Sequence, residues 1–300
     1  MIVPGRKTCG MPRPSLLLTA LPLLALARTG SAPVRIVGNL YYVGDTDLAA
    51  FLVVTPKGDI LINSGFEYSA NEIRSRMKVL GFRFRDIKVL LATHAHSDHV
   101  AAMATIKRRT GAKMMAIEQE AELLETGGKT DYLFGSSGWF PPVTVDRTFK
   151  DGDKIELGGS TLTAYLTPGH TKGSTSYTMD LVENNRQYHV LIANLPTVNE
   201  GTVLIHNPQY PGIVADYERT FEVLRRLPCD IYLTSHAGQF GLGVKYQPGK
   251  AYSPDTFVDP YALPRILDRL AAQFQAELDT QKQEEQAIED RKHFKDVMPN

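Results

Sequence analysis

Apolar residues in the first half of the chain come in short runs, each closed by a turn signal. Residues 35–43, 50–55 and 60–62 read as strands, the last two divided by Pro56-Lys57-Gly58-Asp59. Over 69–80 the period lengthens, with Ile73, Met77 and Leu80 at helical spacing before the stop residue Gly81. A strand at 88–92, a helix at 100–109 and a strand at 113–116 continue the alternation. Residues 143–193 are dominated by strands, at 161–166, 174–180 and 187–193, before a helix at 216–226 and a strand at 230–234. Beyond Tyr261, Leu263, Ile266, Leu267, Leu270 and Phe274 repeat at helical spacing, and 281–285 turn wholly polar. That pattern predicts a docked helix with a frayed end. Two strand-rich halves, each ending strand–helix–strand, predict an α+β fold in which two sheets pack face to face with helices outside.

The amino terminus stands apart. Residues 1–44 contain no Asp or Glu, and Arg6, Lys7 and Arg13 precede an apolar stretch at 16–27 that is short for a bilayer span. This predicts a signal peptide over 1–27, cleaved after Ala25-Leu26-Ala27, with Gly30-Ser31-Ala32 as the second candidate. An uncleaved anchor is disfavoured because the segment is apolar all round. No linker divides the rest, so 28–300 is expected to form a single domain, periplasmic or secreted and without a stable membrane anchor once the leader is gone.

Charge narrows the class of partner. The chain carries 33 basic and 33 acidic residues. Losing Arg6, Lys7 and Arg13 leaves 30 against 33, a net charge of −3. No basic patch appears, and Lys107-Arg108-Arg109 reads as the solvated end of a helix, which argues against a nucleic-acid partner. Cys9 falls within the leader and Cys229 remains alone, so the domain must stand on its core without an intrachain disulfide.

The candidate chemistry sits after the apolar strand ending Val89-Leu90-Leu91-Ala92. Thr93-His94-Ala95-His96-Ser97-Asp98-His99 places three imidazoles and a carboxylate within six positions. In an extended segment residues i and i+2 point the same way, so His94 and His96 can reach one cation while the following turn brings Asp98 and His99 to a second. A catalytic zinc takes three protein ligands and leaves a position open. Further donors follow other strand-like runs: His170 after Thr167-Pro168-Gly169, and His236 after Ser235. Loops at the ends of neighbouring strands bring such residues together. His189, His206 and His293 lack a ligand-like neighbour in sequence and are expected to be structural or solvated. The Gly-rich stretch 127–142, with Trp139 and Phe140, predicts either a flap over the site or a turn carrying a core Trp.

These residues resemble the metallo-β-lactamase superfamily, most closely the third subclass of class B β-lactamases, over about 34–245. The motif at 94–99 carries the likeness together with Phe140-Pro141-Pro142-Val143-Thr144-Val145-Asp146-Arg147, Asp151-Gly152-Asp153, Thr167-Pro168-Gly169-His170-Thr171-Lys172-Gly173, Asn207-Pro208-Gln209-Tyr210-Pro211 and Leu227-Pro228-Cys229-Asp230. The family fold is a four-layer αββα sandwich, which agrees with the two-sheet pattern. The resemblance implies two Zn2+ per chain, the first held by His94, His96 and His170 and the second by Asp98, His99 and His236. It implies hydrolysis of the β-lactam amide bond, and hence antibiotic resistance, by a metal-bridged hydroxide, with Asp98 orienting it and a small-molecule substrate. Thr197 fits a hydroxyl contacting that substrate, whereas Leu195 departs from a serine expected there. Asn63 stands where the superfamily often has an aspartate supporting the metal shell. Glyoxalase-like and phosphodiesterase-like relatives carry a bridging aspartate where this chain has Asn194-Leu195. Hydrolysis of another ester, thioester or lactone is the alternative in the same fold, and a non-catalytic zinc-binding protein the alternative outside enzymology.

Overall fold

The computed structural model describes residues 32–297, so the expected leader over 1–27 lies outside the described residues. No helix among the described residues is long and apolar enough to cross a membrane. A seven-stranded sheet and a five-stranded sheet each take their strands in chain order, from Val34–Val37 to Arg147–Phe149 and from Lys154–Leu157 to Ile231–Thr234.

The first sheet begins as antiparallel hairpins and turns parallel at Asp59–Ile62, Ile87–Leu91, Lys113–Ile117 and Arg147–Phe149. Parallel neighbours need crossovers, supplied by helices Ser69–Val79, Ser97–Val100, Met103–Thr110 and Glu118–Thr126. This sheet is buried on both faces, which is why its strands read as continuous apolar runs. Phe51, Ile60, Ile62 and Leu91 face the second sheet, meeting Leu162, Ala164, Tyr177, Val190 and Ile192. Leu52, Leu61, Leu90 and Met114 face the helices, meeting Ile73, Met77, Ile106 and Leu124. In the second sheet Arg186–Ala193 pairs in parallel with Ile231–Thr234 through helix Ile213–Arg226.

The predicted layering is therefore present, with four local differences. The strand expected over 35–43 is a hairpin, Val34–Val37 and Leu40–Tyr42, because Gly38 turns the chain at φ +55°. The helix expected over 100–109 is split into Ser97–Val100 and Met103–Thr110, where the Ala102 N–H turns to the Gly65 carbonyl. Helix Glu118–Thr126 was not anticipated; Gly127 ends it in the left-handed region. The terminal helix, Ala262–Val297, does not fray at 281. Strong helix formers and i,i+4 pairs carry it through the polar stretch, among them Gln281 Nε2 donating to Glu277 and Gln286 Nε2 to Asp290.

Docking of that helix rests on its first half. Phe274 is buried, its ring 5.2 Å from Tyr217 and 5.9 Å from Phe221. Phe274→Ala is expected to lower unfolding free energy by about 3–5 kcal/mol. Deleting 283–300 should shift the thermal midpoint far less, since among the described residues no hydrophobic side chain beyond Leu278 joins the core. Thermal denaturation of the two variants checks the contrast.

Candidate metal centre

The six candidate donors come from loops that leave the two sheets along one edge. Ile87–Leu91 runs into His94, His96, Asp98 and His99; Ser160–Leu166 runs into His170; Ile231–Thr234 runs into His236. The sheets are tied at this edge. The Thr175 N–H donates to the Thr93 carbonyl at 2.7 Å, and the Tyr177 hydroxyl to the Ala92 carbonyl at 2.8 Å. Across the other flank the Ala49 N–H donates to the Ser235 carbonyl at 2.9 Å.

The rings converge. His94 lies 4.7 Å from His96, 4.6 Å from His170 and 4.4 Å from His99, centroid to centroid. One donor atom each from His94, His96 and His170 falls within 4.8 Å of the others, as do those of His94, Asp98 and His99. His236 stands at the open side, 33 % exposed, with Nε2 3.8 Å from Asp98 Oδ2. His99 Nε2 is 3.1 Å from the same oxygen.

Hydrogen bonds fix which nitrogens are free. His170 Nδ1 is 2.8 Å from the Thr197 carbonyl, which can only accept, so Nδ1 carries the proton and the Nε2 lone pair is left for a cation. His236 Nδ1 faces Asp47 Oδ1 at 3.2 Å with the same result. His94 Nε2 is buried without a hydrogen-bond partner among the described residues, an orphan that a metal ion would satisfy. His96 Nε2 and Asp131 Oδ2 stand 3.3 Å apart, and neither has another partner among the described residues.

Electrostatics favour neutral imidazoles beside an ionised carboxylate. Burial, then the neighbouring imidazoles, push His94 well below the usual histidine range, and burial takes His170 down to about 3. Burial also lowers His99, partly opposed by Asp98. For Asp98 burial alone would raise the carboxyl. The hydrogen bond to His99 and the surrounding imidazoles outweigh it and hold the group well below the carboxylate range. Neutral nitrogen lone pairs next to a carboxylate are the donor set that suits zinc.

Asn63 sits behind the centre at φ +62°, a backbone state asparagine tolerates better than most residues. Its Oδ1 accepts from the Thr93 N–H at 2.9 Å, and its amide nitrogen is 3.1 Å from the Thr93 hydroxyl. That hydroxyl also contacts Ser235 Oγ at 2.8 Å and lies 3.4 Å from His94 Nδ1. Asn63 thus touches no histidine directly; it holds the first residue of the metal loop.

Thr197 lines the cleft, but its carbonyl and hydroxyl both face His170 Nδ1, the hydroxyl at 3.0 Å. Leu195 lines the cleft as an apolar wall. Of the 127–142 stretch, Phe134, Ser137 and Gly138 line the cleft, Phe140 is buried, and Trp139 is exposed with Lys129 over its ring. The flap alternative therefore describes this loop's position, and the core-Trp alternative does not.

Sequence reasoning missed Glu120, Asp131 and Asp47. Glu120 left a trace: a carboxylate three and four positions before Leu123 and Leu124 lies on the apolar face of its helix. Asp131 and Asp47 sit in loops and left none. His189 and His206 are solvent-facing, as expected, each beside an acidic side chain distant in sequence: Asp180 at 2.8 Å and Glu285 at 3.2 Å. Neither pair belongs to a cluster of three metal-ligating side chains among the described residues. Cys229 is partly buried against the core, and burial pushes its thiol up to about 12, which makes it inert as a nucleophile.

Comparison with known proteins follows the same edge. A β-lactamase from Chitinophaga pinensis is 44 % identical over 88 % of this chain and all of that one, with a TM-score of 0.81. A class B3 di-zinc metallo-β-lactamase from an Alaskan soil metagenome is 42 % identical over 85 % of this chain and 98 % of that one, with a TM-score of 0.80. A hydroxyacylglutathione hydrolase from Rhizobium meliloti is 30 % identical over 136 residues, 44 % of this chain and 46 % of that protein, so the match spans less than half of this curated relative. The metallo-β-lactamase superfamily model matches residues 43–236. That match ends on His236, the last of the six donors gathered at the sheet edge, and the chain belongs to the metallo-β-lactamase superfamily.

Proposed function

We propose that this protein is a zinc-dependent β-lactam hydrolase, exported to the periplasm or secreted. The observation that carries the proposal is the convergence of His94, His96 and His170 beside Asp98 and His99, with His236 Nε2 3.8 Å from Asp98, in an open cleft of about 480 Å³; we assign the first three to one zinc and Asp98, His99 and His236 to a second. Solved structures similar over nearly their whole length are β-lactamases, which supports the substrate class.

Bound zinc would supply a water acidified toward neutral pH and a Lewis acid for the lactam carbonyl. The protein's own groups do the rest. Asp98, ionised at neutral pH, accepts a hydrogen bond from the attacking water and can carry its proton toward the departing nitrogen. His170 and His236, their Nδ1 protons engaged by Thr197 and Asp47, keep fixed rings facing the reacting centre. Phe66 and Phe134 form apolar walls for the substrate's hydrophobic substituents. Among the described residues no Lys or Arg lines the cleft, and neutral donors such as Asn199 and Gln239 are placed there to meet a substrate carboxylate beside the metal.

A second chemistry, thioester hydrolysis, is favoured by one observation, the partial match to hydroxyacylglutathione hydrolase. Against it stands Asn194, buried at the cleft where such relatives carry a bridging carboxylate.

Three outcomes test the proposal. Chelation should abolish hydrolysis of a chromogenic cephalosporin, zinc should restore it, and the serine-directed inhibitor clavulanate should change nothing. Full activity in metal-free protein, or faster turnover of an acyl-glutathione thioester or acyl-homoserine lactone than of any penicillin, cephalosporin or carbapenem, would refute the lactamase assignment.

His236→Ala should lower bound zinc from about two per chain toward one, since it removes a donor from one set only. His189→Ala should leave metal content unchanged. Elemental analysis of dialysed protein decides, and loss of zinc in the His189 variant alone would reverse the ligand assignment.

Asn63→Ala should weaken zinc retention by about 10–100-fold and lower the thermal midpoint as well, because it removes the acceptor for the Thr93 N–H from a left-handed position. Asn63→Asp keeps that acceptor and should bind zinc at least as tightly. A chelator titration followed by activity separates these effects, and unchanged zinc affinity in Asn63→Ala would make the residue purely structural.

A further inference from the structure

Glu120 is a buried carboxylate beside the metal loops that the proposed chemistry does not use. It lies at the start of helix Glu118–Thr126, 3 % exposed, with no cationic side chain paired with it among the described residues. Four hydrogen-bond contacts converge on its two oxygens. Oε1 accepts from the Ala95 N–H at 2.6 Å and from the Thr171 hydroxyl at 2.8 Å. Oε2 accepts from the same hydroxyl at 2.9 Å and from the Gly173 N–H at 2.9 Å.

The donors identify its task. Ala95 sits between His94 and His96, and Thr171 follows His170. One carboxylate therefore clamps the first-sheet loop carrying two members of the three-histidine set to the second-sheet loop carrying the third. Gly173 packs so close to the helix that a Cβ there would overlap the Glu120 backbone nitrogen, leaving no room for the loop to slide. A buried carboxylate without a partner cation is costly, and three donors aimed at it from two ligand loops offset that cost. An apolar side chain would fill the space but could not fix the two loops in register.

We infer that Glu120 is a positioning residue for the three-histidine zinc site: it sets the separation of His94 and His96 from His170 and thereby zinc affinity there. The inference rests on the ligand assignment proposed above. A glutamine cannot reproduce the clamp, because its amide NH2 would face either the Ala95 or the Gly173 N–H, donor against donor.

The test is competition for zinc between the folded protein and a chromophoric chelator, together with the visible spectrum of the cobalt(II)-substituted protein. Glu120→Gln is expected to weaken zinc binding at the three-histidine site by about 10–100-fold and to shift the cobalt bands. Thr171→Val, which keeps the carboxylate and removes one donor, should weaken it by about fivefold and serves where Glu120→Gln fails to fold. His170→Ala is the control for the ligand assignment. Full zinc content in His170→Ala would overturn the assignment itself. Loss of zinc there, with parental zinc affinity and an unshifted cobalt spectrum in folded Glu120→Gln and Thr171→Val, would overturn the role of Glu120.

Discussion

Everything at the functional edge depends on keeping a cluster of buried imidazoles uncharged and fixed. His94, His96, His99 and His170 pack ring against ring as buried side chains below the cleft, where protonation of any one would place a cation beside the others. Burial pushes His94, His99 and His170 below the usual histidine range, which favours the neutral rings whose lone pairs can take a cation. A frame that gathers lone pairs in this way gains little from contacts among the rings themselves. Its stability at that point comes from the groups behind them and from whatever cation they bind.

The frame is the seam between the sheets. The three-histidine set draws from both sheets, and so does the Asp98, His99 and His236 set. A relative shift of the sheets by a fraction of an ångström would open both. Several bonds oppose that shift: Tyr177 and Thr175 reach across to Ala92 and Thr93, Asn63 and Ser235 hold Thr93 from behind, and Glu120 closes the opposite side. The apolar layer of Phe51, Ile62, Leu91, Tyr177 and Ile192 supplies the bulk stabilisation, while these polar ties supply the alignment.

Much of this was legible in the sequence. The αββα layering follows from runs of apolar residues whose period and length separate doubly buried strands from amphipathic helices. The motif at 94–99 announces metal chemistry because imidazoles alternating after a buried strand must share a face. What was not legible has physical reasons. A hairpin in place of one strand at 35–43 turns on a single left-handed glycine. The long terminal helix persists because local side-chain pairs compensate for missing burial, a pattern without periodic signature. Glu120, Asp131 and Asp47 act through contacts with residues about 25–190 positions away, and no local pattern encodes such partners. The contact of the Thr197 carbonyl with His170 Nδ1 joins residues 27 positions apart and is visible only once the loops are in place.

The central claim is that one edge holds two metal ions with separate donor sets. Anomalous diffraction at the zinc edge from crystals of the zinc-loaded protein tests it most directly. The account predicts two peaks about 3.5–4 Å apart, one ringed by His94, His96 and His170 and the other by Asp98, His99 and His236. A single peak at full zinc loading, or a second peak bound by other residues, would contradict it.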